Sequence, residues 1–337
     1  MDNPIHTIEA LEARIGARPA AIDLKVIDHL DAHARRWLQA SPLACVATSD
    51  TRQVEVTLAG GSPGFAAPLD TQRLRLPCAA LDDPAHAQPG RGVGLLFLVP
   101  GLGETLRVNG RVAALEAGDA IVAVDECYAH CAKALLRSDF WRPAATPAPG
   151  AAADPAAFLA ASRFMALATA DDALRTDLSP KGDPAGLLVR PCDGGICFAE
   201  RPGNRRTDSL RNMLARPRAA VMLLVPGSSR VARAQGNAQI SADAALREEF
   251  AVHDKVPKLV TRVAAPSIEW RDSAALARAR PWDAPAPPAD IDPAEIFAAH
   301  VRLNKTRGLA AALARSAVSV PGLMRKGLEQ DYKRNMY

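Results

Sequence analysis

The chain has 337 residues, 48% of them hydrophobic and 23% charged, with a formal net charge of +4. That composition excludes a disordered chain and, at about 100–200 residues per domain, makes room for two. Basic residues are scattered among acids without a long Lys/Arg run, so no nucleic-acid partner is expected, and no stretch of about 18 apolar residues marks a membrane span.

Taken in chain order, Met1 to Gly16 places Glu9, Glu12 and Arg14 between apolar residues. It reads as a short amphipathic helix without the uninterrupted apolar core of a signal peptide, so a cytoplasmic location is expected. Arg142 to Asp154 is rich in Pro, Ala and Gly and reads as a linker. Beyond it, Met165 to Thr169, Gly186 to Arg190, Gly195 to Ala199, Ala219 to Val225 and Arg230 to Ser241 read as strands. Ser209 to Ala215 and Ala242 to Phe250 read as helices between them. Ala284 to Asp290 is a second Pro/Ala-rich linker. Pro293 to His300, capped by Asp292, and Leu309 to Arg315 look helical. Pro321 and Gly322 break that pattern, and a short basic tail from Met324 to Tyr337 closes the chain.

Short strands with few helices and frequent turn signals point to antiparallel barrels. Strand–helix alternation with long crossovers is missing, which argues against a dinucleotide-binding fold. Gly101-Leu-Gly103 has neither a third glycine nor a following helix.

The chain repeats itself. Ser41-Pro-Leu-Ala-Cys-Val-Ala-Thr48 resembles Ser162-Arg-Phe-Met-Ala-Leu-Ala-Thr169 at a displacement of 121 residues, and Gly61-Ser-Pro63 matches Gly182-Asp-Pro184 at the same displacement. Leu96-Phe-Leu-Val-Pro-Gly101 matches Met222-Leu-Leu-Val-Pro-Gly227 at a displacement of 126, which Gly110 and Gly236 keep. A period this long is a domain duplication. The expected domains are 1–143, a linker 144–154, a second barrel 155–283, and a linker with a helical tail over 284–337.

The second copy carries Ser179-Pro-Lys-Gly-Asp-Pro184, read as a turn, and Arg201-Pro-Gly-Asn-Arg-Arg-Thr-Asp-Ser-Leu-Arg-Asn212. Lys181, Arg201, Arg205, Arg206 and Arg211 are cations in two short segments. Arginine offers forked donors to phosphate oxygens, and the free N–H groups at the start of the Ser209 helix suit an anion. A solvated basic loop capping a helix is the plainer reading of the same residues. The first copy lacks the cations, with Gly60 aligned on Lys181, but keeps Gly103-Glu-Thr-Leu-Arg-Val-Asn-Gly110 and the segment Cys127 to Trp141. Aligning Trp141 with Trp282 puts Arg271 opposite His130 and Ala274 opposite Lys133, so each copy has lost the half that the other keeps.

Plainer roles remain open for each residue. His130 would satisfy a strand end, Lys133 and Arg107 would be surface charges, Glu104 would pair with Arg107, and Trp141 and Trp282 would anchor a core. The six cysteines read as free thiols in a reduced interior. Cys127 and Cys131 flank His130 but lack a second ligand pair, so no metal site is assigned.

Together these motifs resemble the pyridoxamine 5′-phosphate oxidase-like family, in particular its FMN-dependent bacterial flavoproteins of unassigned substrate. The resemblance covers about residues 30–143 and 155–283, and the ending from Tyr332 to Tyr337. It implies a mainly β fold with minor α: two fused split β-barrels forming an intrachain pseudo-dimer, plus a helical C-terminal extension. In that family the flavin lies between two barrels, each contributing part of the site. Carried over, Lys181, Arg205, Arg206, Ser209 and Asn212 match positions that hold the FMN phosphate and ribityl chain. Ser179, Asp183, Arg201 and Asn204 share those motifs. Glu104, Thr105 and Arg107 match contacts from the facing barrel, and His130 and Lys133 are the catalytic candidates.

The implied function is an FMN-dependent oxidoreductase with one composite site and a small-molecule substrate, the chain acting as a monomeric pseudo-dimer or a homodimer. Alternatives are a non-catalytic flavin or phosphate-ligand binder, and a haem-binding or haem-degrading split barrel resting on His130.

Overall fold

The computed structural model describes residues 3–143, 154–192, 194–265, 267–283, 286–318 and 322–337. The chain opens with strand β1 (Pro4–Ile5), helix α1 (Ile8–Ile15), a 3-10 helix (Ala20–Lys25) and helix α2 (Ala32–Ala40). The side chains of Thr7 and Asp31 cap α1 and α2 by accepting from the N–H groups of Ala10 and Ala34. The first sheet comprises β2 (Leu43–Ser49), β3 (Val54–Gly60), β4 (Ala67–Pro68), β5 (Arg73–Pro77), β6 (Gly92–Leu98), β7 (Thr105–Glu116) and β8 (Asp119–His130), followed by α3 (Lys133–Arg137).

Helix α4 (Pro155–Ala161) leads into β9 (Phe164–Ala170), β10 (Thr176–Gly182), β11 (Arg190–Cys192) and β12 (Gly195–Ala199). Helix α5 (Asp208–Ala215), β13 (Arg218–Leu224), β14 (Arg230–Ser241), α6 (Ala244–Glu248), β15 (Val260–Ala264), β16 (Ile268–Asp272) and α7 (Ala274–Ala279) complete the second unit. The tail is helical: α8 (Pro293–Leu303), α9 (Leu309–Val318) and α10 (Leu323–Arg334).

The two antiparallel sheets share one strand order. The first runs β3-β2-β6-β7-β8-β5-β4 and the second β10-β9-β13-β14-β15-β12-β11, with β1 and β16 also pairing β14. The long β8 of the first copy is answered by two shorter strands in the second, so His130 faces Thr105 where Arg271 faces Val231. That register places Arg271 opposite His130, as the Trp141–Trp282 alignment has it.

Strands β2 and β9 are buried on both faces. Successive side chains alternate across a strand. Ala44 and Val46 point into the first barrel, and Leu43, Cys45 and Ala47 into a core shared between the barrels. In the second barrel, Met165 and Leu167 point inward while Phe164, Ala166 and Ala168 meet the shared core. This two-sided burial makes these strands read as continuous apolar runs. The barrels therefore pack as a pseudo-symmetric pair on the β2/β3/β6 and β9/β10/β13 faces.

The helix closing each copy reaches across to the other. A Cβ on Gly182 would stand 1.9 Å from the Ala134 carbonyl oxygen of α3, and one on Gly60 would stand 2.2 Å from the Ala275 carbonyl oxygen of α7. Glycine lets each helix backbone lie directly on the partner copy's hairpin.

Several sequence expectations change. Gly60 pairs with Leu43 and Gly182 with Phe164, so Gly60 corresponds to Gly182, and Ala59, not Gly60, corresponds to Lys181. The one-residue offset arises because the β9–β10 turn is one residue longer than the β2–β3 turn. Ser179 to Gly182 is not a turn but the end of strand β10, in register with β9. The segment from Gly186 to Leu188 forms a turn, with Gly186 at φ 80°, and the strand begins at Arg190. The helix expected over Ala242 to Phe250 shrinks to Ala244–Glu248, because Asp243 caps it by accepting from Leu246 N–H at 2.9 Å. The amphipathic helix begins at Ile8, since Pro4–Ile5 pair with Ser241 and Ile240 of β14. The basic tail is mostly helix α10. Most of the linker after the first barrel, residues 144–153, lies outside the described residues.

Candidate functional site

A cleft of about 680 Å³ opens between the two barrels. Strand β10 supplies its floor: Asp177, Ser179 and Lys181 share one face at spacing two. Of these, Ser179 and Lys181 line the cleft, together with Asp183 just beyond. Ser179 donates to Asp177 at 2.8 Å, and Lys181 pairs with Glu200.

The loop from Arg201 to Thr207 forms one wall. Arg201 is buried, with its Nε 2.7 Å from Asp183 and its Nη1 donating to the Phe250 carbonyl at 2.8 Å. Asn204 accepts from the Arg206 N–H at 3.0 Å. Arg205 and Thr207 adopt left-handed backbone, φ 57° and 60°. For residues with a Cβ that conformation costs about 1–2 kcal/mol each and persists where the surroundings hold it. The result aims Arg205, Arg206 and the first turn of α5, with Ser209, at the cleft.

Arg206 is buried and held by Asp208, by Asp23 at 2.9 Å and by the face of Tyr128. Burial alone would lower its pKa, but Tyr128, Asp208 and Glu126 outweigh that and hold it above the ordinary guanidinium value.

The first barrel supplies the facing wall. Thr105 lies opposite His130 and Arg107 opposite Tyr128 across the β7–β8 ladder, on one face. Arg107 is fully buried, not a surface charge. It donates to the Tyr128 hydroxyl at 2.9 Å and crosses to the second barrel, pairing with Asp177 and the Leu178 carbonyl. His130 lines the cleft with its Nδ1 buried and unpartnered. Burial, reinforced by the charges of Arg107, Lys25 and Arg206, pushes its pKa well below the usual imidazole value. Lys133 is buried and pairs with Asp331 of α10 at 2.8 Å.

Three expected residues lie elsewhere. Glu104 is outside the cleft lining, under α10, accepting from the Tyr332 hydroxyl at 2.9 Å instead of pairing with Arg107. Its burial raises the carboxyl pKa. Thr105 is buried behind the lining with its hydroxyl unpartnered. Asn212 donates to Thr169 at 3.1 Å and lines a second cavity of about 620 Å³, whose walls share Arg206 and Asp208 with the cleft.

Other lining residues were given no site role by the sequence: Arg137, Lys255 and Lys258, together with Cys131 beside His130 and Asn335 and Tyr337 in the ending that shares the resemblance. Alternation along the strands would have pointed to Asp177 and Tyr128, two residues before Ser179 and His130. Nothing local marks the loop of Lys255 and Lys258, which the fold brings in.

The pseudo-symmetric position on the other side is filled by ion pairs. Arg271, the counterpart of His130, forks onto Asp83, which also accepts from Thr57 at 2.8 Å. Arg233, the counterpart of Arg107, meets Glu269 at 2.5 Å, and Glu55 is taken by Arg91 at 2.7 Å.

The cleft lining holds nine Lys/Arg residues against four Asp/Glu. Buried polar atoms without partners remain in the lining on His130 (Nδ1), Arg201 (Nη2), Asn204 (Nδ2), Arg107 (Nε) and Asp183 (Oδ1), three of them nitrogens that can only donate. Such atoms are costly in a finished interior and suit an anionic, hydrogen-bonding ligand. The six cysteines are free. No helix among the described residues is long and apolar enough to cross a membrane.

Residues 154–281 match the sequence model of the family described as pyridoxamine 5′-phosphate oxidase. The family expected from the motifs is therefore the one found for the second barrel, and the first repeats its strand order. No curated protein matches the chain. Similar solved structures include HupZ of Group A Streptococcus, 19% identical, TM-score 0.27, covering 34% of this chain and 88% of that one. General Stress Protein 26 of Bacillus anthracis is 14% identical, TM-score 0.27, covering 34% and 87%. HutZ of Vibrio cholerae, titled a heme storage protein, is 10% identical, TM-score 0.24, covering 34% and 89%. Likenesses of this size bear on neither ligand nor activity.

Proposed function

We propose that the chain is an FMN-dependent oxidoreductase with one composite flavin site in the cleft between its barrels. The observation that carries this reading is convergence. Lys181, Arg205, Arg206 and Ser209 of the second barrel line the same cleft as Arg107, His130 and Lys133 of the first.

The residues present fit a flavin mononucleotide. Arg205, Arg206 and the N-terminus of α5 offer forked and backbone donors to a phosphate. Lys181 and Arg206, now paired with Glu200 and Asp208, would exchange a carboxylate for phosphate oxygens. Bound FMN would supply the hydride and electron chemistry that side chains lack. Arg107, fixed by Asp177 and Tyr128, contributes a permanent positive charge from the first barrel. Burial and the charges of Arg107, Lys25 and Arg206 disfavour the imidazolium form of His130, so it would exchange hydrogen bonds with a ligand instead of carrying charge. Lys133 is the charged group beside it, steadied by Asp331. The substrate is a small molecule that enters the same cleft.

The test is a visible absorption spectrum of the purified protein after FMN is added and the excess removed. One flavin per chain, weakened at least tenfold by Arg206→Ala, is expected. No flavin uptake overturns the reading. Bound flavin that neither reductant nor substrate turns over makes the protein a carrier or sensor, and a Soret band on haem addition, lost in His130→Ala, makes it a haem protein.

A further inference from the structure

One end of the cleft is bounded by Arg137, Arg201, Lys255 and Lys258, and the chain fills it with its own residue Tyr337. The Tyr337 ring has the Arg201 guanidinium 5.5 Å and the Arg137 guanidinium 5.9 Å from its centroid, with His253 edge-on at 6.1 Å. Lys255 donates to the main-chain oxygen of Tyr337 at 3.0 Å, and Arg137 to that of Met336 at 2.8 Å.

We infer that this end of the cleft is a binding subsite for a planar aromatic ring bearing a carboxylate, and that Tyr337 occupies it as a displaceable stand-in. The inference rests on reading the cleft as the reaction site.

Three features argue for it. The first is charge: Arg137, Arg201, Lys255 and Lys258 gather at this end, and Asp183, which pairs with Arg201, also faces the charges of Arg137 and Lys181. The main-chain oxygens of Met336 and Tyr337 meet Arg137 and Lys255, places that the anionic oxygens of a ligand would take. The second is an orphan. Arg201 is 7% exposed, lines the cleft and keeps its Nη2 without a partner even with Tyr337 in place. Two guanidinium groups near one ring select an aromatic face over an aliphatic one.

The third feature is how the tail is held. Its anchors are in α10, where Asp331 pairs with Lys133 and Tyr332 donates to Glu104. Residues 335–337 follow that helix and meet the subsite through individually weak contacts. They can leave while α10 stays docked.

The experiment titrates 3-(4-hydroxyphenyl)propionate, which carries the ring and an acid at about the spacing of a tyrosine residue. Calorimetry on the full chain compares wild type, Tyr337→Phe and Tyr337→Ala. Tyr337→Ala is expected to bind the acid at least tenfold more tightly than wild type, while Tyr337→Phe, which keeps the ring, stays within twofold of wild type. The neutral alcohol tyrosol and the aliphatic acid cyclohexanepropionate are expected to bind at least tenfold more weakly than the aromatic acid.

Equal affinity in wild type and Tyr337→Ala, or binding in neither, overturns the inference. Equal binding of the aliphatic acid overturns its aromatic part. FMN uptake is read separately by absorbance on the same samples. Uptake without acid binding overturns the subsite alone, and acid binding without uptake overturns the flavin reading alone.

Discussion

The Arg206 guanidinium of the second barrel lies 4.5 Å from the ring centroid of Tyr128 in the first. Both residues are buried, and the Tyr128 hydroxyl accepts from Arg107, which in turn crosses to Asp177. The wall of the cleft is thus also a lock between the barrels. Tyr128→Phe keeps the ring and loses one hydrogen bond, so it should cost about 1 kcal/mol. Tyr128→Leu also removes the aromatic face and should cost about 3 kcal/mol. Denaturant unfolding of the two variants decides the matter: equal losses would mean that the ring face contributes nothing.

Gly182 and Gly60 are structural counterparts with different consequences. Alanine at either must push a helix backbone away, at about 1–3 kcal/mol. At Gly182 the displaced helix is α3, which carries Lys133 and Arg137 of the cleft; at Gly60 it is α7, which carries no lining residue. Both variants should melt lower than wild type, but only Gly182→Ala should lose FMN uptake.

Lys25 is buried between the rings of Tyr128 and Phe297 and donates to the Ala129 carbonyl at 2.8 Å. Burial, with Arg206 and Arg107 adding and Cys131 opposing, pulls its pKa down from 10.5 to about 8. Between those values the unfolded chain binds more protons than the folded one, so this group makes stability rise with pH. The stability of wild type relative to Lys25→Met should therefore increase by roughly 3 kcal/mol from pH 8 to pH 10.5. A difference flat across that window would show that the ammonium is not penalised by its surroundings.

Asp83 shows the opposite sign. Burial raises its pKa, but Arg271, Thr57 and Arg233 outweigh that and hold it down at about 2 from 3.8. The stabilisation is complete above the unfolded value and fades as pH falls toward 2. Acid unfolding should show wild type more stable than Asp83→Asn by about 1–2 kcal/mol at pH 5, with the gap closing by pH 2. In an Arg271→Ala background the gap should shrink at every pH.

Much of this was legible locally. The duplication, the strands at Gly195, Ala219 and Arg230, the α5 helix and the Asp292 cap rest on near-neighbour patterns: alternation, turn residues and side-chain caps. Gly186 misled because an apolar run beside it, Leu187 to Val189, looks like a strand although the backbone turns there. Lys181 was aligned on the wrong partner because a one-residue difference in a hairpin turn is invisible until the ladder pairing is seen. Asn212 was assigned to the cleft, but its position on α5 turns it toward Thr169.

The sequence by itself determined that there are two copies of one antiparallel unit and that each retains a different half of the cationic motifs. Those properties follow from residue order, which sets turns, caps and the alternation of faces. The resemblance implies that the two halves meet between the barrels; only the tertiary structure decided which residues line that cleft, that Arg107 is tied to Asp177, and that Tyr337 lies near Arg137 and Arg201. These are contacts between residues from 70 to 200 positions apart. They depend on how the shared apolar core brings two barrels face to face, which no local pattern encodes.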